Sequence, residues 1–265
     1  MIHPEILKQP AKMIVTDLDG TLLNEESTVS EFTIQTLKRC RDIGIKVVYA
    51  TGRGSSSKLI VPFELFNGYV VNNGAFSYER TNEDDEIIYK SLIHYKDLRP
   101  LLLACDRRGL KTAAQLDHIH YSNFDVSKEW PEFRHFEIVD FSKHEKDTEK
   151  MYAVLNNDED VRIIEKHLSD NIYLTVSRDG FAQIMHINAT KSNGVAALAD
   201  YWDIDKSQIV AFGDDLNDID LITYAGIGVA MQNSIDEVKE IADQICLDNE
   251  NDGIAIWITE NILNQ

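Results

Sequence analysis

"MIVTDLDGTLLN" (residues 13–24) runs a short apolar segment into two aspartates one residue apart, Asp17 and Asp19, followed at once by Gly20 and Thr21. The apolar part reads as a buried strand. Two carboxylates at the end of a core strand repel each other, so something else in the fold must hold them there. The search for that partner organises the rest of the chain.

Working outward, strands and helices alternate. "SEFTIQTLKRCRDIG" is an amphipathic helix with Ile34, Leu37 and Cys40 at helical spacing and Gly44 as its stop. "IKVVYAT" reads as a second strand, "SSSKLIVPFELF" as a helix broken near Pro62, and "GYVVNNG" as a third strand. Beyond residue 190 the pattern returns: helix "SNGVAALADYW", strand "QIVAFGD", helix "LNDIDLITYA", strand "IGVAM", helix "SIDEVKEIA" and strand "QICL". Ser234 with Glu237 three residues on reads as a capping box. Apolar strands separated by helices indicate an α/β fold, a doubly wound, Rossmann-like parallel sheet covered on both faces.

Residues 83–188 differ. Strand-like stretches such as "EIIYKSLI", "KTAAQL", "HIHYSNF", "KMYAVLN" and "FAQIMHIN" follow one another directly, with helix-like "YKDLRPLLLACDRRG" and "DEDVRIIEKHLSD" between them. "SRDGF" supplies a hairpin turn. This pattern predicts an inserted α+β domain at 83–188 within a core made of 1–82 and 189–265, with "NEDDE" (82–86) as a solvated linker.

Composition narrows the function. The chain has 265 residues and a formal net charge of −19, which argues against nucleic acid as a partner. An anionic substrate would need a local positive device. No apolar run of about eighteen residues is present to span a membrane, and "MIHPEILKQPAK" lacks the pattern of a signal peptide. Three scattered cysteines, Cys40, Cys105 and Cys246, fit reduced thiols in a cytoplasmic protein.

In open α/β sheets ligands bind beyond the carboxyl ends of the strands. Asp17 and Asp19 stand at one such end, Thr51-Gly52-Arg53 at a second and "GDDLND" (213–218) at a third. Two unit charges about 4 Å apart repel by roughly 4 kcal/mol at an effective dielectric near 20. A hard divalent cation among the oxygens would relieve that, and Mg²⁺ suits few carboxylates completed by water and phosphate. One carboxylate can serve as a nucleophile that forms an acyl-phosphate. A second can protonate the leaving oxygen and then activate water. Phosphate donors would be the Thr51 hydroxyl, nearby backbone N–H groups and Lys191 at a helix start.

Taken together these motifs resemble the haloacid dehalogenase superfamily, and within it the Cof-type phosphatases with a large inserted cap. "DLDGTLLN" is similar to the first family motif, "YATGR" to the second, Lys191 to the third and "GDDLND" to the fourth. The resemblance implies Asp17 as nucleophile and Asp19 as acid/base. It implies Thr51, Gly52, Lys191 and Asn217 on the phosphate. Mg²⁺ would sit on Asp17, the Asp19 backbone carbonyl, Asp214 and Asp218. Two positions depart from the family pattern: Asp215 replaces the usual Asn, and "SNG" follows Lys191 where Gly is usual.

Arg53 reads equally as a structural ion pair or a substrate contact. In the inserted domain His118 and His120 lie two apart on an expected strand, and Arg178 offers a charge, with Lys111 as a further cation. The function expected is a Mg²⁺-dependent phosphatase of small phosphorylated metabolites, sugar phosphates first, through an aspartyl-phosphate. A phosphotransferase or mutase and a non-catalytic phosphate sensor are the alternatives. Asp19 favours hydrolysis, because the superfamily's pumps carry Thr there.

Overall fold

A computed structural model describes residues 9–131, 133–177 and 180–264. The chain divides into two compact units, Met1–Lys90 with Thr190–Gln265, and Ser91–Ala189.

The first unit is built on an eight-stranded sheet. Its strands are β1 (Met13–Thr16), β2 (Lys46–Ala50), β3 (Gly68–Val71), β4 (Phe76–Glu79) and β5 (Glu86–Lys90), then β12 (Ile209–Gly213), β13 (Ile227–Ala230) and β14 (Gln244–Ile245). They lie in the order β14-β13-β12-β1-β2-β3-β4-β5. The six from β14 to β3 are parallel, and β4 and β5 add antiparallel at one side. β1 is buried along its whole length, as its unbroken apolar run requires of a strand covered on both faces.

Helices α4 (Lys191–Tyr201), α5 (Ile219–Tyr224) and α6 (Asp236–Ile241) cover one face. Val195, Leu198, Leu221, Ile222 and Val238 pack there against Val15, Val48 and Ala211. On the other face Phe212 meets Trp257 of α7 (Gly253–Ile258) edge-on at 5.4 Å. The helix α1 (Glu31–Asp42) is capped by Ser30, whose Oγ accepts from the Thr33 N–H at 3.0 Å.

The second unit holds a six-stranded sheet. Its strands are β6 (Thr112–Leu116), β7 (Ile119–Ser122), β8 (Phe136–Ile138), β9 (Lys150–Val154), β10 (Ile172–Val176) and β11 (Phe181–His186), in the order β10-β11-β9-β6-β7-β8. All pairs are antiparallel except β7–β8. Helices α2 (Tyr95–Arg108) and α3 (Asp158–Glu165) pack on one face through Leu98, Leu101, Cys105 and Ile164.

Four expectations from the sequence need correction. "EIIYK" is β5 of the first unit's sheet, so the division falls after Lys90 and not at 82/83. Those residues extend the core sheet because β4, unforeseen in the sequence, gives them an edge to pair with. The stretch 55–66 forms two short 3₁₀ turns, Ser55–Leu59 and Phe63–Leu65, split by Pro62. α6 starts after Ile235 with no side-chain cap, so the Ser234–Glu237 capping box is not formed. His118 stands in a left-handed turn with Asp117 (φ 66° and 48°), outside β7, so His118 and His120 do not share a strand face.

The three cysteines are buried and free. Among the described residues no helix is long and apolar enough to cross a membrane.

Candidate active site

Three adjacent strands, β12, β1 and β2, end side by side, and their first residues beyond the sheet are Asp214, Asp17 and Thr51. Asp17 continues the ladder, its N–H donating to the Phe212 carbonyl at 3.0 Å. Its carboxylate is therefore fixed by sheet register rather than by a loop.

The chain then turns back. The Leu23 N–H donates to the Leu18 carbonyl at 2.8 Å, and Gly20 sits at φ +76°. A Cβ at Gly20 would collide with the Asp214 carboxylate, so the position needs glycine for both conformation and space. The Thr21 hydroxyl donates to Asp214 Oδ1 at 2.6 Å. From the opposite side Asn233 donates to the Gly20 carbonyl at 2.7 Å and Asn249 to the Leu23 carbonyl at 2.8 Å. Gly20→Ala is expected to cost roughly 1–3 kcal/mol through left-handed strain alone. It should also displace Asp214, so thermal unfolding and turnover, measured together, should both fall.

Lys191 opens α4 behind Thr190, whose hydroxyl accepts from the Asn193 N–H at 3.2 Å. The lysine is 1% exposed. Its Nζ lies 2.6 Å from Asp17 Oδ1 and 2.6 Å from Asp218 Oδ1. An ammonium stays charged in such a place only with close anionic partners. Burial opposes its charge, but Asp17 and Asp218 outweigh that and hold its pKa above the usual lysine value.

Asp218 is fully buried, and its second oxygen accepts from the Asp214 and Asp215 N–H groups at 3.0 and 3.2 Å. It thus ties the lysine to the loop after β12. Asp215 turns outward and caps that loop, accepting from the Leu216 N–H at 2.8 Å.

Asp17, Asp214 and Asp218 each bring a carboxylate oxygen within 4.8 Å of the other two. Burial raises the Asp17 carboxyl above its ordinary value, Lys191 opposes this, and Asp218 adds to the rise. Asp214 is pushed up to about 6, by burial first, against the Thr21 hydrogen bond, with Asp218 adding repulsion. Asp17 Oδ2 and Asp214 Oδ2 accept from no donor among the described residues. Carboxylate oxygens this close together, on groups whose burial raises their proton affinity, suit a hard divalent cation. Asp218 has both oxygens engaged and stands behind them.

Asp19 points elsewhere. Arg53 Nε and a terminal guanidinium nitrogen donate to its two oxygens, each at 2.6 Å, a bidentate fork about half exposed to water. Thr51 is buried, and its hydroxyl accepts from the Arg53 N–H at 3.1 Å. A Cβ on Gly52 would lie 2.9 Å from Asn73 Oδ1, the same oxygen that accepts from Asn217 Nδ2 at 3.0 Å.

Thr51, Gly52, Lys191, Asn217 and the acidic residues therefore belong to one set of strand ends. His118 and His120 belong to the second unit: His118 is exposed in its turn, and His120 is buried with Nδ1 2.8 Å from the Tyr152 hydroxyl. Arg178 lies outside the described residues. Lys111 pairs with Glu129 at 2.5 Å.

Asn73, Thr21, Asn233 and Asn249 escaped the sequence reading. "NNG" could have flagged Asn73, because Asn72 and Asn73 both adopt left-handed φ near 48°, which asparagine tolerates better than most residues. No comparable signal marks Asn233 or Asn249.

The family profile for haloacid dehalogenase-like hydrolases matches residues 14–258. The chain belongs to that family. It is a phosphatase of the Cof type. A 5-amino-6-(5-phospho-D-ribitylamino)uracil phosphatase of Bacillus subtilis is 29% identical over 261 residues, covering 94% of this chain and 96% of the relative. Among solved structures, the phosphatase BT1666 from Bacteroides thetaiotaomicron superposes with a TM-score of 0.80 at 28% identity, over 95% of both chains. The subclass IIB sugar phosphatase BT4131 gives 0.79 at 25% identity, covering 94% of this chain and 98% of its own.

Proposed function

We propose that this chain hydrolyses monoesters of small phosphorylated metabolites, sugar and sugar-alcohol phosphates first, in a Mg²⁺-dependent reaction through an aspartyl-phosphate on Asp17. The observation that carries this reading is the buried Lys191–Asp17 contact beside an Asp214 oxygen left without a donor. A lysine that fixes one Asp17 oxygen leaves the other directed for attack.

Asp17 Oδ2 attacks phosphorus and the bond from phosphorus to the ester oxygen breaks. Protonated Asp19 gives its proton to that departing oxygen. As carboxylate it then takes a proton from the water that attacks phosphorus, and the bond from phosphorus to Asp17 breaks. Thr51, the Gly52 N–H and Lys191 hold the phosphoryl oxygens as charge builds on them. Asn217, braced by Asn73, orients that group. Mg²⁺ bound by Asp17, Asp214 and the Asp19 carbonyl, with Asp218 behind, would supply charge neutralisation at the phosphoryl oxygens.

Arg53 is a positioning residue in this scheme. The bidentate guanidinium grips both Asp19 oxygens and fixes the direction of that carboxylate. Arg53→Ala is expected to lower kcat roughly ten- to a hundredfold, with Arg53→Lys restoring little because an ammonium cannot fork. Steady-state kinetics on the two variants check it.

The substrate class draws on two relatives. One is a uracil phosphatase whose substrate carries a phosphorylated ribityl chain, and the other a sugar phosphatase; a phosphorylated polyhydroxy chain is common to both. Phosphate release from a panel of sugar, sugar-alcohol and nucleoside phosphates, with Mg²⁺ and with EDTA, tests the reading. Release confined to Mg²⁺ and strongest with polyol chains is expected. Equal release in EDTA would overturn it.

Stability gives a second handle on the metal. The Asp214 carboxyl titrates near 3.8 when unfolded and at about 6 when folded. Between those values the folded chain holds more protons, so its stability falls as pH rises through the window. A bound cation removes that penalty. The gain in Tm on adding Mg²⁺ should therefore be larger at about pH 7 than at about pH 5. Equal gains would contradict it.

A further inference from the structure

The second unit carries a groove of about 570 Å³ along α2, flanked by the loop at Glu145 and by His167 just beyond α3. Every residue that lines it falls within Ser91–Ala189, so one compact unit builds the whole of it. Tyr95, Arg99, Leu103 and Arg107 follow at intervals of four on one stripe of the helix, with Lys96 and Pro100 beside them. Leu98, Leu101 and Cys105 turn the other way, into the core.

Acidic side chains outnumber lysines and arginines by 45 to 26 in the whole chain. In the groove the balance is reversed, with Lys96, Arg99 and Arg107 against the single carboxylate of Glu145. Arg99 is partly engaged: its Nε donates to the His144 carbonyl at 2.9 Å, and a terminal nitrogen lies 3.2 Å from Glu145. Lys96 and Arg107 are exposed and have no hydrogen-bond or ion-pair partner among the described residues. His167 Nδ1 lies 2.8 Å from the Ile163 carbonyl, an acceptor, so that nitrogen carries the proton and Nε2 is left for another partner.

An exposed cation is usually no more than a solvated charge. Two choices on this stripe, however, go against the helix itself. Lys96 is the second residue of α2, where the helix dipole favours an anion. Pro100 stands in the second turn, where it cannot donate to the Lys96 carbonyl and its ring crowds that oxygen. Both residues line the groove. Departures from local preference gather where a chain serves function rather than stability.

The spacing of the charges sets the ligand chemistry. Eight residues separate Arg99 from Arg107, about 12 Å along the axis. Lys96 shares the Arg99 end, where the guanidinium also lies over the Tyr95 ring at 5.3 Å. Pro100 and Leu103 supply an apolar floor between the ends. A single inorganic anion would reach only one end. Two oxyanions joined by an apolar stretch would meet both, each through charge-assisted hydrogen bonds.

We propose that this groove binds an elongated organic dianion, one oxyanion held by Lys96 and Arg99 and the other by Arg107. The site uses none of the catalytic residues and does not rest on the phosphatase reading. Calorimetric titration of the Mg²⁺-free chain at low salt tests it. The probes are succinate, suberate and sebacate, dicarboxylates of rising length, with decanoate as a single carboxylate of the same length as sebacate. Fully extended, sebacate spans roughly the distance between the two cationic ends.

Sebacate should saturate one site per chain and bind more tightly than succinate or decanoate. Lys96→Gln and Arg107→Gln should each weaken it roughly tenfold, the loss of a hydrogen bond to a charged group. Glu145→Gln should tighten it by freeing Arg99. Lys206→Gln, which removes an exposed charge from the first unit, should leave it unchanged. Lys96→Gln should also unfold no earlier than wild type, because it relieves the helix start; earlier unfolding would make Lys96 a structural residue and overturn the argument.

No saturable heat from sebacate, or equal binding of decanoate, overturns the proposal. Equal weakening by Lys206→Gln would reduce the effect to net charge and overturn it as well. Asp17→Asn should bind sebacate as wild type does, and loss of binding in that variant would place the ligand at the catalytic carboxylates instead.

Discussion

Asp17→Asn is expected to abolish turnover, by roughly a thousandfold or more, while leaving the chain folded. An amide cannot attack phosphorus as a carboxylate does, and it offers a cation a weaker oxygen. The fold should survive because the Asp17 N–H stays in the ladder with Phe212 and Lys191 keeps Asp218 at 2.6 Å. The variant should therefore unfold near the wild-type temperature, with residual phosphate release at background. A variant that keeps a tenth of wild-type activity would mean that another group attacks phosphorus.

Lys191→Met is expected to damage both stability and activity. The substitution leaves Asp17 and Asp218 buried at 5% and 0% exposure with no ammonium between them. Breaking a buried pair by removing one partner costs about 3–5 kcal/mol, which in a chain of this size lowers Tm by on the order of 10 °C. The pH dependence separates this cause from simple loss of packing. With Lys191 no longer opposing burial, the Asp17 carboxyl would hold its proton in the folded state still further above its unfolded range, so the deficit should shrink as pH falls toward about 5. Adding Asp218→Asn to Lys191→Met should recover part of the stability and none of the activity. Calorimetry across pH reads the first, phosphate release the second. A deficit independent of pH would contradict the electrostatic origin.

How much of this was legible in the sequence follows from what kind of signal each part carries. The parallel core could be read because its strands are buried on both faces and so lack alternation, with helices of regular period between them. The acidic cluster could be read because Asp17 and Asp214 follow directly on strands, with Asp19 and Asp218 a few residues beyond, where register transmits position over long sequence separation. β4 was missed and β5 misplaced because "FSYE" and the edge strand "EIIYK" are short, of mixed polarity, and pair with each other. The fork between Arg53 and Asp19 was one of two equal readings. Spacing alone does not say whether an arginine 34 positions away turns toward a carboxylate or a ligand.

The bracing residues were invisible for a different reason. Asn233 and Asn249 act on the turn at Gly20 and Leu23 from more than 200 residues away. A single asparagine in a loop has no period and no neighbour to mark it. Ser234 misled in the opposite direction, since its spacing to Glu237 fits a capping box that the chain does not use, the helix beginning after Ile235.

The central claim is a covalent phosphoryl group on Asp17. The most direct measurement is an acid quench of the Mg²⁺-loaded enzyme within its first turnover, on the best substrate of the panel, followed by mass spectrometry of the peptide that contains residues 13–24. The expected result is a gain of one phosphoryl group on Asp17, absent in Asp17→Asn and absent in EDTA. Phosphate release at the full rate with that peptide unmodified, or with the phosphoryl group on another residue, would contradict it.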